Sequence, residues 1–482
     1  MLFNSINFAL FLPVVFIFYW FVTNKNLKLQ NLLLLVSSYF FYACWDWRFL
    51  FLLIFSTVLD YYTGIKMSEA KNPAVKKFWF WLSISINLGF LGVFKYYNFF
   101  AESFAAAVAN FGFEAHPWTL KVILPVGISF YTFHGLSYVI DIYKDRIKAE
   151  WDFVDYSVFV SFFPLLVAGP IERATHLLPQ IKKKRIFNHI SAADGLKQIL
   201  WGLFKKVVIA DNCAHYANIF FDSSNDYSGS SLVFGAIFFT FQIYGDFSGY
   251  SDIAIGTARL FGIDLLRNFA NPYFSRDIAE FWRRWHISLS SWFKDYLYIP
   301  LGGSQGGMWM KIRNTFIIFL VSGFWHGANW TFIIWGLLNA IYIMPSIIFN
   351  KNRVNLDIVA RGKYFPTLRE LRAMIITFGL TVFAWIFFRA ENLSSAWHYI
   401  TRMFNKNLFV LQDFKDDSMV KPIVLLVVIF VIIEWIGREQ QYALAAVFKN
   451  QPRIFRLGFY YLLLVVIFIF AGLNQQFIYF QF

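Results

Sequence analysis

Two histidines stand in surroundings where a proton-exchanging side chain is costly. His286 lies in Phe281-Trp282-Arg283-Arg284-Trp285-His286-Ile287-Ser288-Leu289-Ser290, and His326 in Ser322-Gly323-Phe324-Trp325-His326-Gly327-Ala328-Asn329-Trp330. A charged group at membrane depth costs about 2.5–3.5 kcal/mol on insertion scales, so an ionisable side chain there marks a functional candidate. Imidazole, with an ordinary pKa of about 6.5, takes and returns a proton near neutrality. Acyl transfer to a hydroxyl needs such a base, together with a partner for the oxyanion that develops. Around His326, Gly323 and Gly327 would let the backbone approach a ligand, with Phe324, Trp325 and Trp330 as walls. His286, beside Arg283 and Arg284, reads equally well alone as an interfacial residue. Its value lies in the company of His326, because Gly302, Gly303, Gly306 and Gly307 between them can fold one segment back on the other.

The elements that must hold such a centre are apolar helices. Of the 482 residues, 58% are hydrophobic, 22% aromatic and 15% charged, with a mean hydropathy of +0.51. That composition excludes a soluble globule with a polar skin. Windows of about 20 apolar residues, the length that crosses a hydrocarbon core, fall near 2–22, 29–46, 47–63, 78–97, 119–140 and 207–221. Others fall near 230–248, 314–327, 329–349, 373–390, 421–437 and 456–473. The first has no basic region before it and no small-residue cleavage site after it, and is expected to remain as an anchor. Lys and Arg cluster in alternate loops, including 259–313 and 350–372, whereas 98–118 and 207–258 contain neither. The basic loops belong on the cytoplasmic side, which puts both termini outside it.

Two stretches spoil a simple count. Val154–Pro170 and Phe281–Leu301 are apolar or aromatic yet carry charge within or beside them, and they predict re-entrant or interfacial segments. Residues 192–206 predict an amphipathic helix at the inner interface, from which Lys205 and Lys206 would snorkel to head groups. The net charge of +14 is spread over loops, with no soluble basic module to carry nucleic acid, and Lys182-Lys183-Lys184-Arg185 suits anionic lipid. Cys44 and Cys213 supply neither a disulfide framework nor a metal set and are expected to pack. No internal repeat and no long linker appears, so a single domain over 1–482, with its motifs within 119–345, is the economical reading. His134 is expected to be a satisfied helix histidine. Asp246 and Asp252 form a polar cluster that needs internal partners, and Arg173 is expected to pair with Glu172.

The run from Phe281 to Gly303, followed by Gly323 to Asn339, resembles the membrane-bound O-acyltransferase family, in particular its bacterial branch that acetylates exported polysaccharides such as alginate. Further segments are similar to that branch: Met1-Leu2-Phe3-Asn4-Ser5, Leu124-Pro125-Val126-Gly127 running to Phe133, and Val167-Ala168-Gly169-Pro170-Ile171-Glu172-Arg173. So are Gly202-Leu203-Phe204-Lys205-Lys206 running to Asp211, and Tyr244-Gly245-Asp246-Phe247-Ser248-Gly249-Tyr250-Ser251-Asp252. The resemblance covers the chain to about residue 400. It implies an all-α polytopic membrane protein of about 11–13 helices around a central funnel, in a bacterial cytoplasmic (inner) membrane. On this pattern His326 matches the family's catalytic histidine and His286 the second histidine of the bacterial branch. It implies no resident cofactor or metal. A cytoplasmic thioester such as acetyl-CoA would donate, and the acceptor would be an extracytoplasmic hydroxyl on a partner protein or polysaccharide. Lys205, Lys206, Arg173, Asp246, Asp252, Trp325 and Asn329 are candidates for the donor path. A D-alanyl transferase fed by a carrier protein, and a proton-coupled transporter with His286, His326, Asp246 and Asp252 as relay, are the alternatives.

Overall fold

In the computed structural model the described residues form helices and turns, with no strand among them. The structure describes the chain except 114–118, 121–123, 168, 406–407, 409–418, 446, 448–450, 473–474 and 479–482. Part of the span expected at 119–140, Ala168 of the fourth quoted motif and residue 473 of the last span therefore lie outside the described residues. The chain forms two compact units, Met1–Ala192 with Ala258–Leu266, and Ala193–Thr257 with Arg267–Phe482.

The first unit holds α1 (Ile6–Ile17), α2 (Leu27–Glu69), α3 (Pro73–Leu91), α4 (Tyr97–Ala109), α5 (Ile128–Tyr143), α6 (Phe153–Ser161) and α7 (Ala174–Lys182). The two spans expected at 29–46 and 47–63 are one element kinked at Asp46, whose backbone is extended at φ −156°, ψ 110°. Its carboxylate accepts the Arg48 N–H at 3.0 Å, acting as an N-cap for the second half. The segment Val154–Pro170 is broken as expected: α6 ends at Ser161 and turns follow. Deep inside, Asp60 accepts from Ser83 Oγ at 2.5 Å and Asn87 Nδ2 at 2.8 Å, the internal satisfaction that lipid demands of polar groups. Cys44 is exposed and Cys213 buried, so only the second fills a core.

The second unit follows with α8 (His189–Leu203) from Ala193 on, α9 (Asp211–Asp222), α10 (Gly229–Leu260) as far as Thr257, α11 (Ile278–Arg284), α12 (Ile287–Phe293), α13 (Gly307–His326) and α14 (Trp330–Ile348). It closes with α15 (Leu368–Arg389), α16 (Leu393–Met403), α17 (Val420–Ile436) and α18 (Arg453–Ile469). The interfacial helix expected to end at 206 does not end there: a π-helical stretch, Phe204–Ala210, joins α8 directly to α9. Five helical runs among the described residues are long and apolar enough to cross a membrane: Leu27–Glu69, Pro73–Ala109, Gly229–Leu260, Trp330–Ile348 and Leu368–Arg389. The chain is thus a multi-pass membrane protein.

Small residues decide how closely these helices meet, because lipid supplies no hydrophobic drive between them and packing must do the work. A Cβ on Gly323 would lie 2.3 Å from the Phe332 carbonyl oxygen, and one on Gly336 2.3 Å from that of Phe319. α13 and α14 therefore cross at backbone contact. Gly202 and Gly249 do the same for α8 and α10, each lying against the other's carbonyl oxygen at 2.5 and 2.8 Å from the missing Cβ. These two crossings place the end of α13 and the Lys205-Lys206 turn.

Candidate functional site

His326 is the last residue of α13. Its Nδ1 lies 2.6 Å from the Ser322 carbonyl oxygen. A carbonyl only accepts, so Nδ1 carries the proton and Nε2 of the neutral ring carries the lone pair. The imidazole is 3% exposed and meets Trp325, Trp335 and Phe388 at centroid distances of 4.8, 4.9 and 5.5 Å. Three aromatic rings hold its orientation and keep out bulk water. Gly323 and Gly327, expected to admit a ligand, serve packing instead: Gly323 faces α14, and a Cβ on Gly327 would lie 2.1 Å from the Phe332 ring.

His286 occupies the N-cap of α12 with φ +43° and ψ 55°, a left-handed conformation that costs a non-glycine residue about 1–2 kcal/mol. Such strain persists where surrounding bonds over-determine it, and it concentrates at working sites. Here Asn268 does the holding. Its backbone oxygen accepts the Ile287 N–H at 2.8 Å, and its Oδ1 accepts from Ser288 Oγ at 2.9 Å and faces His286 Nδ1 at 3.0 Å. Asn268 Nδ2 donates to Ser251 Oγ at 3.1 Å, which fixes the amide's orientation. His286 therefore also protonates Nδ1 when neutral. Phe247 packs edge-on at 4.6 Å, and the ring is 1% exposed, which rules out a residue of an exposed aromatic belt.

Forty positions apart in sequence, the two imidazoles meet the same indole: Trp325 lies 6.0 Å from His286 and 4.8 Å from His326, steeply inclined to both. Trp285 and Trp385 at 5.0 Å, and Trp385 stacked on Trp335 at 5.5 Å, continue the wall behind them. The glycine turn makes this convergence possible. Gly302, Gly303 and Gly307 have φ of 99°, 58° and 81°, and Asn314 Nδ2 pins the turn by donating to the Gly303 oxygen at 2.9 Å. The expected re-entrant run Phe281–Leu301 is indeed broken, into α11, α12 and a π-helical turn, Lys294–Tyr298.

The remaining candidates take other places. Lys205 and Lys206 do not snorkel: they are 4% and 1% exposed. Lys205 Nζ lies 2.6 Å from Asp252, and Lys206 Nζ lies 2.7 Å from Asp211 and 2.8 Å from Asp246. Helix α10 turns its carboxylates inward against the lysines, so burying the charges is cheaper than reaching head groups. Asp252 also accepts from Gln198 Nε2 at 2.7 Å. Asn329 caps α14 by accepting the Thr331 N–H at 3.0 Å. In the other unit, Glu172 pairs with His176 at 2.8 Å and accepts the Leu266 N–H, while Arg173 Nη1 donates to the Ile171 oxygen at 3.1 Å. Glu172 thus takes His176, one helical turn on, as an ion-pair partner. His134 accepts the Glu172 N–H on Nε2 at 3.1 Å, the satisfied helix histidine expected.

Two features of the site escaped the sequence. Asn268 carries no motif and is visible only through its bonds. Phe477 and Ile478 are the other: the Ile478 N–H donates to Asp246 at 2.7 Å, and Phe477 packs on Tyr250 at 4.3 Å and on Phe247 at 6.2 Å. The C-terminal segment thus braces the ring that braces His286.

Taken together, the geometry offers two buried imidazoles, each with the lone pair on Nε2 and both against the Trp325 indole, a group type suited to moving a proton on and off a reacting oxygen. The family model described as MBOAT, membrane-bound O-acyltransferase family, matches residues 143–377. The chain is 39% identical over 436 residues to a peptidoglycan O-acetyltransferase of Helicobacter pylori, covering 84% of this chain and 80% of that protein. It is 38% identical to a probable alginate O-acetylase of Pseudomonas aeruginosa, covering 94% and 83%. A teichoic acid D-alanyltransferase of Bacillus subtilis is 29% identical, over 55% of this chain and 69% of its own length.

Proposed function

Because the chain belongs to the membrane-bound O-acyltransferase family, we propose that it moves an acetyl group from a cytoplasmic thioester, acetyl-CoA, to a hydroxyl presented outside the cytoplasm for acetylation of a cell-envelope polysaccharide. An acyltransferase sets aside the transporter reading of the buried titratable groups. The D-alanyl reading is disfavoured by relatedness: the acetylating relatives are more similar and match far more of the chain.

The observation that carries the reading is the shared Trp325 contact of His286 and His326 with Nε2 as the basic atom of each. His326 Nε2 accepts the acceptor's hydroxyl proton as the oxygen attacks the thioester carbonyl. The tetrahedral oxyanion collapses, the carbon–sulfur bond breaks, and the proton leaves with the thiolate, regenerating neutral imidazole. His286, held by Asn268 with its lone pair inward, orients the donor or the acceptor by accepting a hydrogen bond. Trp325 contributes an N–H, the group type an oxyanion needs, on the ring that touches both imidazoles.

Sealed vesicles carrying the protein in one orientation test sidedness and chemistry together. With labelled acetyl-CoA supplied on the cytoplasmic face only, label is expected on an acceptor hydroxyl compound in the opposite compartment. Label transferred only from the opposite face, or no consumption of donor, refutes the reading. Asn268→Leu removes the acceptor for His286 Nδ1–H while keeping the side-chain volume. Misplacing a catalytic group by about 1 Å costs on the order of 10²-fold, so kcat is expected to fall by about that factor with donor KM unchanged. A kcat within about twofold of wild type would show that the tautomer of His286 is immaterial.

A further inference from the structure

The second unit contains an apolar cleft of about 260 Å³ that α15 lines with Leu371, Met374, Ile375 and Phe378 and α17 with Phe430 and Val431. Spacings of three and four residues put the four α15 side chains on one helix face. They span about 10 Å along the axis at 1.5 Å per residue, against roughly 15 Å of hydrocarbon in one leaflet. The polar groups in the lining are already engaged. Glu434 accepts from Trp201 Nε1 at 2.9 Å and from the Tyr244 hydroxyl at 2.7 Å, and the Tyr273 hydroxyl donates to the Thr240 oxygen at 2.7 Å. Asn271 is the one other polar side chain there, too few partners to hold water in place. Helix α15 is long and apolar enough to cross the membrane, and Leu371 and Ile375 are 41% and 63% exposed. The cleft therefore opens toward lipid, and a hydrocarbon chain restores the contacts its walls lack. Neither imidazole lines it. Tyr244 and Tyr273 back on Trp285 at 6.2 and 6.0 Å, so a chain seated here braces the residue before His286 as a resident, not a reactant.

The rim of the cleft selects the lipid. Trp435 packs at 5.1 Å on Phe274, which belongs to the lining, and donates its indole N–H to the Tyr364 oxygen at 2.8 Å. Arg438 stacks on Trp435 at 4.2 Å and donates to the Lys363 oxygen at 2.5 Å. These bonds tie the loop before α15 to the cleft wall, within the basic stretch 350–372 expected on the cytoplasmic side. The carboxylates nearby have cations of their own: Glu439 lies 4.0 Å from Arg438 and Glu370 3.5 Å from Arg276. Arg361, Lys363, Arg369 and Arg372 are exposed and pair with no carboxylate among the described residues. Arg372 directly follows Leu371 of the lining, and Lys363 lies on the tied loop. Cations at the head-group level above an apolar slot match a phosphate carried on a hydrocarbon chain. We infer that the cleft holds an acyl chain of an anionic phospholipid from the inner leaflet, its head group met by Lys363 and Arg372. The inference rests on the cleft and its rim and is independent of the acyl-transfer reading.

Lipid binding to the full chain in dodecyl maltoside micelles tests both halves of the site. Dioleoyl phosphatidylglycerol is expected to bind about tenfold more tightly than dioleoyl phosphatidylethanolamine at low salt, the effect of two nearby cations, with the gap narrowing as salt screens them. Lys363→Gln/Arg372→Gln should erase that preference and leave phosphatidylethanolamine binding unchanged. Phosphatidylglycerol with a photoactivatable diazirine midway along one chain should cross-link chiefly to α15 and α17. Met374→Trp fills the slot and should lower both the cross-linking and the affinity for either lipid about tenfold or more. Ile376→Trp, on the exposed side of the same helix, should change neither. Unfolding midpoints at or above wild type show that the filled variant is folded; should Met374→Trp lower its midpoint, Val431→Phe, a smaller filling from α17, makes the same measurement. Cross-links spread evenly over the lipid-facing helices, equal affinity of wild type for the two lipids, or a folded cleft-filling variant that binds as wild type does would each overturn the inference.

Discussion

Replacing His326 with alanine is expected to lower acetyl transfer about 10²- to 10⁴-fold, the range a positioned general base supplies, while the protein still inserts and folds. The two effects separate because the imidazole touches Trp335 and Phe388, rings also held by contacts of their own, at 5.2 Å to each other and 5.5 and 5.1 Å to Trp385. His326→Gln is the sharper variant. It fills most of the volume and can still donate toward the Ser322 carbonyl, but it offers no group that takes a proton near neutrality. Both variants should therefore be nearly inactive, with glutamine closer to wild type in thermal unfolding. Labelled acetyl transfer measured beside unfolding midpoints decides the matter. Activity retained by His326→Gln would show that the ring positions substrate without exchanging its proton.

Hydropathy made the helices legible, since each span expected within the described residues coincides with helix over most of its length, and the aromatic flanks marked both histidines. What stayed hidden depended on partners far along the chain. Windowed hydropathy registers Lys205 and Lys206 as charges and assigns them to an interface; it cannot see that Asp246 and Asp252, on another helix, stand opposite them. Asn268 is one polar residue among many until its backbone and side chain are seen to clamp His286 and Ser288 together. Glycines mislead for a related reason. Gly323 and Gly327 leave space beside the backbone, but whether ligand or helix fills that space is a tertiary fact, and here Phe332 and the α14 backbone fill it. In a membrane, close helix crossings are made by small residues and inward polar bonds, so the composition that suggests a substrate pocket also builds the scaffold around it.

The same distinction governs Lys206, for which a donor-phosphate contact and a scaffold role predict different results. Its ammonium stands between Asp211 and Asp246 at 2.7 and 2.8 Å and also donates to the Gln475 oxygen at 3.2 Å, 1% exposed. Lys206→Met removes the only charge in that group opposing two buried carboxylates. Breaking a buried ion pair by deleting one partner costs about 3–5 kcal/mol, a large part of the roughly 5–15 kcal/mol that holds a typical protein folded. The variant is expected to give little monodisperse protein in detergent and a strongly lowered unfolding midpoint. Lys206→Met/Asp211→Asn/Asp246→Asn should recover much of that loss, because no charge is then stranded and the side-chain amide oxygen at position 246 can still accept the Ile478 N–H that docks the C-terminal segment. Recovery by neutralisation is the outcome a donor contact cannot imitate: a lysine that binds phosphate would leave folding intact when replaced, raise donor KM, and gain nothing from losing two acids. A stable Lys206→Met protein with only its donor KM raised would move Lys206 out of the scaffold and onto the donor path.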